Sequence, residues 1–379
     1  MIGDDDRTGT DAMTRLVEEV EYPSAVDIRV EFTQILADIE TEMSAILAER
    51  GGHARPLYEM LAYHLGLDGK GGRGGKRIRP LLGVLAYQSL GGDYRRALPG
   101  AAAVELGHNF SLVHDDIEDG DRERRHRPTL WALWGVPLAI NAGDALFALS
   151  RLALYRLLDR EEHDDHQVLE LMRIYDETCL ALCEGQFLDI SFETRDDVTV
   201  EAYFEMIGKK TAALLGASVQ AGAILAVDDP AVHEAYRAFG YDLGMAFQMA
   251  DDVKGTFWTS EDTGKRDAGD VRRRKKTLPV VWALEHAAPG DRLRLIQLYA
   301  RPERTGEGRG SATEVADESI TDSQVSEVLD ILERSGARTH AESEARRYRD
   351  LALEHIERLP CEPRGKQELS ALVRWIIAA

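Results

Sequence analysis

The residues of this chain that are best suited to chemistry form an acidic run, DDIED, at positions 115–119. Asp115 and Asp119 are four residues apart, so on a helix both carboxylates project from the same face. Two like charges at this spacing repel each other, which favours a bound cation between them. Hard oxygen ligands with room for water suit Mg²⁺, which proteins commonly bind through a few carboxylates and substrate phosphates. A solvated acidic helix end is the alternative for such a run taken alone.

A second acidic pair lies in the apolar segment AFQMADDV. Asp251 and Asp252 follow Gln248, and the spacing places Gln248 and Asp251 on one helix face. Carboxylates in an apolar segment are costly to bury unless they are paired or bound to a metal. Solvation alone therefore explains this pair poorly. Two acidic pairs that face each other across a helical bundle would hold a cluster of Mg²⁺ ions.

Basic residues are spaced as if to bind phosphate groups. Lys76 and Arg79 are three residues apart in GGKRIRP, so both side chains can reach one phosphate. Arg124 and Arg125 follow soon after the first acidic run. The five-cation run RRRKK, taken alone, is more typical of a solvated face or a nucleic-acid patch. The other candidate phosphate ligands are Lys210, next to Thr211 in GKKTA, Lys265 in TGKRD and Lys275 in RRRKK.

The charge balance argues against several classes of partner. Lys and Arg total 46 against 67 Asp and Glu, a net charge of -21, which argues against a nucleic-acid or anionic-membrane partner. The apolar runs are far shorter than the roughly 18 residues of a membrane span, and the acidic N-terminus is unlike a signal peptide. We therefore expect a cytoplasmic protein with no integral membrane segment. Cys179 and Cys183 are predicted to be buried, and the sequence has no Cys/His cluster suited to zinc.

Apolar residues recur at helical spacing from about residue 26 to the C-terminus, with little β-branched alternation. Long Ala- and Leu-rich segments are apolar on most sides, which is typical of helices buried in a larger bundle. The sequence therefore predicts an all-α fold with one domain over residues 25–379. Residues 1–24 are polar and acidic and are predicted to be a disordered arm. Residues 301–323 are predicted to be a polar surface loop inside the domain.

Taken in order, these motifs resemble those of the trans-isoprenyl (polyprenyl) diphosphate synthase family. The match covers about residues 70–285 and, more loosely, the rest of the chain to its end. A single DDxxD motif is weak evidence, whereas the ordered set is highly specific. The set comprises GGKRIRP, His108, DDIED, RRHRPT, CEGQFLD, GKKTA, FQMADD and TGK…KKTLP. The resemblance implies an isoprenoid synthase fold with a central cavity, a homodimer, and two Asp-rich helices that face each other.

The resemblance also implies roles for individual residues. Asp115 and Asp119 correspond to ligands of two Mg²⁺ ions, and Asp251 to the ligand of a third. Asp252 would support bound water, and Asp116 belongs to the same catalytic group. The residues implied to contact the allylic diphosphate are Arg124, Lys210 and Lys265, and those implied to contact isopentenyl diphosphate are Lys76, Arg79, His108 and Arg125. Lys275 is implied to bind a diphosphate. Thr211 and Gln248 are implied to stabilise positive charge.

The implied activity is the head-to-tail condensation of isopentenyl diphosphate with an allylic prenyl diphosphate, which gives a linear trans product. Departure of the allylic diphosphate leaves a carbocation, the double bond of isopentenyl diphosphate attacks it, and loss of a proton completes the step. Two alternatives stay open. A class I terpene cyclase normally carries a different second motif and lacks the isopentenyl diphosphate residues that this chain keeps. A non-catalytic partner subunit tends to lose the first DDxxD motif, which is intact here.

Product length is predicted from the residues that precede Asp115 in its helix. At about 100° per residue, position 111 lies under Asp115 and position 110 lies to one side. Ser111 and Phe110 occupy these positions, and a small residue under the metal site with one flanking aromatic resembles geranylgeranyl diphosphate synthases. Farnesyl and farnesylgeranyl products stay open, because Phe110 is also compatible with ordinary core packing.

Some positions depart from the family pattern. Gly255 stands where many members have a third Asp, Lys254 where an apolar residue is common, and His126 where RRGxP has a glycine. We expect altered metal geometry from Gly255 and crowding of the diphosphate loop from His126. Gln186 and Asp189 in CEGQFLD match a family motif near the cavity, although an internal hydrogen-bonded pair explains them about as well.

Overall fold

The structure, a computed structural model, describes residues 25–69, 74–160, 163–257, 268–300 and 320–378, with the backbone alone described for 25–31 and 378. The predicted acidic arm, Lys265 and residues 301–319 of the predicted polar loop lie outside these ranges. Within the described ranges, no helix has the length and apolar character needed to cross a membrane.

The described residues are almost entirely helical, which confirms the predicted all-α class. Two short strands, β1 (Glu123–Arg124) and β2 (Arg127–Pro128), pair antiparallel. A π-helical turn, Gly208–Ala212, joins two of the α-helices. The sixteen α-helices within the described ranges are α1 (Ala25–Ala48), α2 (Arg55–Leu65), α3 (Ile78–Ser89), α4 (Leu98–Glu118), α5 (Leu130–Trp134), α6 (Val136–Asp159), α7 (Asp165–Phe192), α8 (Val200–Ile207), α9 (Ala213–Ala226), α10 (Pro230–Phe257), α11 (Gly269–Arg272), α12 (Leu278–His286), α13 (Pro289–Tyr299), α14 (Asp322–Arg334), α15 (Ala337–Arg358) and α16 (Pro363–Ala378).

Several helix ends are specified by the local sequence. Thr321 and Gln324 form a capping box at the start of α14, in which each side chain accepts a hydrogen bond from the other's backbone N–H. Thr199 caps α8 by accepting a hydrogen bond from the N–H of Ala202. Helix α2 is followed by Gly66, whose φ of 71° is a left-handed conformation that suits glycine. Because α14 starts at its cap, the last residues of the predicted loop are helical.

The chain divides into two compact units. The described residues of the first unit lie within Met1–Cys179, Leu214–Tyr241 and Ala352–Ala379, and those of the second lie within Leu180–Ala213 and Asp242–Leu351. The acidic run at 115–119 therefore belongs to the first unit, and the acidic pair at 251–252 belongs to the second.

The core of the first unit is built around α4 and α6, which pack along each other. Apolar side chains of α4 such as Phe110 and Val113 are buried. Glu42 on α1 is also buried and accepts hydrogen bonds from Arg156 and Arg160, at the end of α6, at distances of 2.7–2.9 Å. Because two guanidinium groups share this carboxylate, its buried charge is compensated and α1 is held to α6.

The second unit has an apolar core of its own. It is formed where α11, α12, α13 and α14 meet, and Val271, Val280, Leu295 and Val328 are buried in it. Helices of this length are marginal in isolation, so their stability depends on this packing.

One expectation about burial is wrong. Cys179 is buried as predicted, but Cys183 on the next turn of α7 is exposed. Leu180 and Phe187, which flank Cys183 on the same helical face, are exposed as well, by 62% and 71%. Apolar composition alone therefore misassigned this face of α7 as buried.

Candidate active site

The first acidic run occupies the last turn of α4, which ends at Glu118 with Asp119 as its C-terminal cap. Asp115 is partly buried and Asp119 is exposed, so solvent reaches both side chains. Carboxylates are unfavourable at a helix C-terminus, because the terminal carbonyl groups already carry partial negative charge. A bound cation would offset this repulsion, which agrees with the predicted metal-binding role.

Asp116, next to Asp115, points into the protein. Its side chain is 2% exposed, and its Oδ1 accepts a hydrogen bond from Arg124 Nε at 2.7 Å. Burial raises the pKa of Asp116 to about 6, although the charge of Arg124 acts in the opposite direction. The structure thus places Arg124, a predicted ligand of the allylic diphosphate, against Asp116.

A group of arginine and histidine side chains in the first unit forms what we call the cation cluster. Arg79 Nη1 lies 3.2 Å from His108 Nε2. Burial, followed by the charges of Arg79 and Arg125, holds the pKa of His108 well below its ordinary value. Three of the four residues predicted to contact isopentenyl diphosphate are therefore close together. The cation cluster comprises His64, Arg77, Arg79, His108, Arg124 and Arg125.

Two arginines of the cation cluster, Arg79 and Arg125, are partly buried with little negative charge to balance them. Burial lowers the pKa of Arg79 and that of Arg125 to about 10 each, and Glu105 is the acid that opposes this effect in both. Burial also lowers the pKa of His64 to about 3. Arg79 Nε and Arg125 Nη1 are buried and make no hydrogen bond within the protein. Unpaired guanidinium donors in a buried site are suited to an anionic ligand.

Arg77 holds the segment that carries Lys76 and Arg79. Its φ of 50° is left-handed, and its side chain is almost fully buried. Its Nη1 donates a hydrogen bond to Glu105 Oε1 at 2.7 Å, and its Nη2 donates one to the carbonyl of Leu65. Arg77 was not among the predicted site residues, because no local sequence pattern shows that Glu105 is its partner.

Lys76 differs from the rest of the predicted isopentenyl diphosphate ligands because it is exposed. Its ammonium group lies 5.2 Å from the ring centroid of Trp375 on α16, a cation–π arrangement. Helix α16 thus supplies an aromatic contact to Lys76 through Trp375.

The β1–β2 hairpin carries the RRHRPT motif in a two-residue turn. Such a turn requires positive φ at both central residues, and Arg125 and His126 have φ values of 54° and 61°. His126 is exposed, and it adopts a left-handed conformation that a glycine would adopt without strain. Arg77 and Arg274, which neighbour predicted diphosphate ligands, also have positive φ. Four of the five non-glycine residues with positive φ in the described ranges therefore are, or adjoin, predicted substrate-binding residues, and Ala268 is the fifth.

The two acids of the second motif have different surroundings. Asp251 is exposed, whereas Asp252 is 1% exposed. Tyr203 Oη and the backbone N–H of Leu278 donate to Asp252 Oδ2 at 2.5 and 2.9 Å, and Gln248 Nε2 donates to Oδ1 at 2.9 Å. Burial raises the pKa of Asp252 to about 6. Asp252 is therefore held by protein donors, while Asp251 faces solvent.

The π-helical turn in GKKTA presents Lys210 and Thr211. Lys210 Nζ lies 2.5 Å from Asp189 Oδ2, and Thr211 Oγ1 donates to Gln248 Oε1 at 2.8 Å. A Cβ at position 185 would lie 2.4 Å from the backbone nitrogen of Lys210, so Gly185 permits this close approach of α7. Turns of this π-helical kind often occur at functional sites. Asp189, which the sequence left undecided, forms an ion pair with a predicted diphosphate ligand.

Lys275 lies among the acids of the second unit. Burial opposes its charge, yet the charges of nearby carboxylates raise its pKa. We call this group the carboxylate cluster. It comprises Asp189, Asp251, Asp252 and Asp270 around Lys275.

Asp270 occupies the space beside Gly255. A Cβ at position 255 would lie 2.0 Å from Asp270 Oδ2, so the glycine makes room for this carboxylate. Gly255 is one helical turn after Asp251 on α10, where many family members have a third Asp. Asp270 was not among the predicted site residues, because it comes from a later segment of the chain.

The residues fit a divalent cation whose coordination the substrate completes. Among the side chains that the structure describes, no group of three or more His, Cys, Asp or Glu residues is arranged to hold a metal ion by itself. The donors at both acidic motifs are carboxylate oxygens, which Mg²⁺ binds together with water and phosphate oxygens.

Comparison with known proteins identifies the family of this chain. The family model described as polyprenyl synthetase matches residues 56–338. The (2E,6E)-farnesyl diphosphate synthase of Mycobacterium tuberculosis is 38% identical over 330 residues, which cover 86% of this chain and 86% of that protein.

Two solved structures are also similar over nearly the whole chain. Geranylgeranyl pyrophosphate synthetase from Pyrococcus horikoshii has a TM-score of 0.80 and 30% identity, and the match covers 98% of this chain and 99% of that one. Polyprenyl synthase from Caulobacter crescentus, complexed with calcium and isoprenyl diphosphate, has a TM-score of 0.72 and 26% identity, with 97% of each chain covered. The all-helical fold is therefore the isoprenoid synthase fold. The chain belongs to the polyprenyl synthetase family.

Proposed function

We propose that this chain is a Mg²⁺-dependent trans-prenyltransferase that joins isopentenyl diphosphate to an allylic prenyl diphosphate. Membership in the polyprenyl synthetase family makes it a prenyl diphosphate synthase. The cation cluster is the observation that carries the choice of substrates. The cluster offers a site for one diphosphate. The carboxylates of the two acidic motifs suit a second diphosphate that is bound through metal ions. A terpene cyclase binds a single diphosphate and has no use for this second site.

The cation cluster would bind isopentenyl diphosphate. Arg79 and Arg125 present buried N–H groups that make no hydrogen bond within the protein. His108 lies beside Arg79 and, because its pKa is lowered, is a neutral imidazole at neutral pH. Diphosphate oxygens would accept hydrogen bonds from these donors and offset their buried positive charge. Lys76 is exposed and lies three residues before Arg79, and it would add a further contact to this diphosphate.

Asp115, Asp119 and Asp251 would hold the divalent cations, with Mg²⁺ as the proposed ion. Bound Mg²⁺ supplies positive charge that makes an allylic diphosphate a better leaving group. The Caulobacter crescentus relative supports a divalent cation together with an isoprenyl diphosphate in this family. Asp252 would act indirectly, because three protein donors fix its position next to Asp251.

Protein contacts orient the groups that would face the reacting carbon. Thr211 donates to Gln248, and Gln248 donates to Asp252, so the two oxygen dipoles are held in one hydrogen-bonded chain. We propose that these dipoles stabilise the allylic carbocation. Lys210 would contact the departing diphosphate, with Asp189 holding its ammonium group in place.

The proposed product is a short linear chain, with geranylgeranyl diphosphate favoured over farnesyl and farnesylgeranyl diphosphate. Relatives of this chain include both a farnesyl and a geranylgeranyl synthase. Ser111 is partly buried one turn before Asp115, and the buried Phe110 packs its ring 5.1 Å from that of Phe147. A small residue below the acids leaves room for the growing tail.

We also propose a homodimer. Helix α6 and the short α5 before it carry exposed apolar side chains, a feature typical of protein interfaces. A mass of twice 42.2 kDa by light scattering would support this proposal, and a monomer mass would contradict it. The cytoplasmic location stays a prediction from the sequence. The exposed side chains are Leu133, Trp134, Leu138, Ile140, Leu152 and Tyr155.

The test is to incubate the purified protein with Mg²⁺, isopentenyl diphosphate and, separately, dimethylallyl, geranyl, farnesyl and geranylgeranyl diphosphates. Products are identified by mass spectrometry with and without phosphatase. We expect linear prenyl diphosphates whose length gives the product class. A hydrocarbon or alcohol formed without isopentenyl diphosphate would instead identify a cyclase. Turnover that appears only after a partner is added would identify a modulating subunit.

A further inference from the structure

The two histidines of the cation cluster, His64 and His108, differ in what their Nε2 atoms contact. Nε2 of His108 lies 3.2 Å from Arg79 Nη1, and because a guanidinium group can only donate, this nitrogen accepts the hydrogen bond. Nε2 of His64 is buried and makes no hydrogen bond within the protein. His108 is thus satisfied as a neutral ring, whereas His64 has one ring nitrogen without a partner.

The end of α2 that carries His64 is held against the β1–β2 hairpin. The guanidinium group of Arg127 lies 3.8 Å from the ring centroid of Tyr63 and donates a hydrogen bond to the Tyr63 carbonyl at 3.2 Å. Tyr63 Oη donates in turn to the carbonyl of Pro128 at 2.9 Å. Because Tyr63 directly precedes His64, these contacts fix His64 beside the hairpin that carries the RRHRPT motif.

His64 is a neutral ring in the free protein at neutral pH. Burial, followed by the charges of Arg125, Arg124 and Arg77, lowers its pKa to about 3. The backbone of Asn109 on α4 hydrogen-bonds the ring and favours its protonated form, which is the effect of a carbonyl acceptor. Since Nε2 makes no hydrogen bond, Nδ1 carries the hydrogen that is donated to Asn109. Nε2 therefore presents a lone pair among guanidinium groups.

The acids of this part of the first unit are already paired with arginines. Glu105 accepts a hydrogen bond from Arg77 Nη1, and Asp116 accepts one from Arg124 Nε, both at 2.7 Å. A diphosphate in the cation cluster would add several negative charges, which favour a protonated imidazole. The charged and titratable groups that act on His64 are Arg77 before α3, Arg124 and Arg125 on the hairpin, and His108 on α4.

We propose that His64 is a further diphosphate-binding residue of the cation cluster, and that its Nε2 takes up a proton when isopentenyl diphosphate binds. This inference rests on the proposed function. The proton comes from solvent and adds to the lone pair of Nε2, and the new N–H donates to a diphosphate oxygen. A lone pair facing the anion would repel it, whereas the imidazolium adds a charge-assisted hydrogen bond. His108 does not respond in this way, because Arg79 already donates to its Nε2.

Two substitutions separate the roles of the two ring nitrogens. His64→Asn keeps an N–H at the place of Nδ1 and has no group at the place of Nε2, whereas His64→Gln puts an amide nitrogen near Nε2 that needs no proton. We expect the KM for isopentenyl diphosphate to rise about tenfold in His64→Asn and less in His64→Gln. The kcat and the KM for the allylic diphosphate should be unchanged, which a merely structural role would not give.

Proton uptake on binding is the decisive measurement. Isothermal titration calorimetry with isopentenyl diphosphate and no Mg²⁺, at about pH 6 in buffers of different ionisation enthalpy, gives the protons taken up per bound ligand. Wild type should take up roughly one proton more than either His64 variant. His233→Gln is the matched control, since His233 is also buried in the first unit and its Nε2 lies 2.8 Å from the carbonyl oxygen of Val227. Its proton count should equal that of wild type.

The outcomes separate this inference from the function on which it rests. If wild type neither binds isopentenyl diphosphate nor makes a prenyl diphosphate, the proposed function and the inference both fail. If wild type binds it and both His64 variants take up as many protons as wild type, only the inference fails. Should one variant not fold, as circular dichroism would report, the other carries the test, because each lacks the titrating nitrogen.

Discussion

The cation cluster of the first unit and the carboxylate cluster of the second unit bury charge in opposite ways. In the cation cluster, burial lowers the pKa of Arg79 and of Arg125, and Glu105 opposes it only in part. In the carboxylate cluster, four acids raise the pKa of Lys275 in spite of burial. We therefore expect an anion from outside the protein to complete the first cluster, whereas the four acids of the second outnumber Lys275 and agree with a cation from outside. A binding site therefore differs from a structural ion pair in whether its charges have partners within the protein, more than in how deeply the charges are buried.

The largest expected effect comes from replacing one solvent-accessible acid in each unit, Asp115 in the first and Asp251 in the second. We expect Asp115→Ala or Asp251→Ala to lower turnover by orders of magnitude, because the divalent cations lose a ligand. Steady-state rates with isopentenyl diphosphate and an allylic starter measure the loss. The helical circular dichroism spectrum should be unchanged, since both side chains are at least partly solvent-exposed. Near-normal activity in either variant would remove its metal-binding assignment.

Stability should separate the two clusters. Lys275→Met removes the cation that all four acids of the carboxylate cluster surround, and breaking a buried charge network in this way typically costs about 3–5 kcal/mol of unfolding free energy. Arg125→Gln removes an incompletely paired buried cation, so its unfolding free energy should equal or exceed that of wild type. Urea unfolding of the metal-free proteins measures both values. Equal losses in the two variants would show that the clusters do not differ as described.

The glycine beside Asp270 provides a sharper test of the second region. Gly255→Asp restores the acid that many family members have, yet its Cβ would lie 2.0 Å from Asp270 Oδ2. We expect this variant to lose about 1–3 kcal/mol of stability through overpacking, with added like-charge repulsion. The double variant Gly255→Asp/Asp270→Gly should recover most of the loss, as thermal unfolding would report. A neutral single variant would show that Asp270 moves aside freely.

The smallest expected effect at any one pH near neutrality is a pH dependence from the first region. Burial lowers the pKa of His64 to about 3, from the 6.5 of an exposed histidine. Between these values the unfolded chain binds a proton that the folded protein does not, so acidification below pH 6.5 favours unfolding. Relative to His64→Gln, wild type should lose up to about 1.4 kcal/mol per pH unit between pH 6 and 4. Parallel pH profiles for the two proteins would contradict the lowered pKa.

Much of the fold was predictable from the sequence because helical periodicity is local. The recurrence of apolar residues predicted the all-α class, and caps such as Thr321 with Gln324 follow the local rules for helix starts. The failure at Cys183 has the same origin. Periodicity assigns an apolar face to a helix, but it does not say whether another part of the protein covers that face.

The candidate site was predictable in composition and less so in arrangement. The sequence identified Arg79, His108 and Arg125, and the structure brings these three together. It did not identify Arg77 or Asp270. Arg77 is hydrogen-bonded to Glu105 and Asp270 fills the space beside Gly255, and both of these neighbours lie in other segments. The role of Lys265 stays a prediction, since it lies outside the described residues.

The helical class, the family and the chemical types of the candidate ligands could be read from the sequence, since periodicity and ordered motifs depend on residues close together in the chain. The pairing of charges, and the large residue that fills the space beside a glycine, became known from the packed structure. Asp270 beside Gly255 and Tyr175 beside Gly107 are contacts between segments far apart in sequence. Packing brings such segments together, and a glycine in the sequence does not show which side chain will occupy the space next to it.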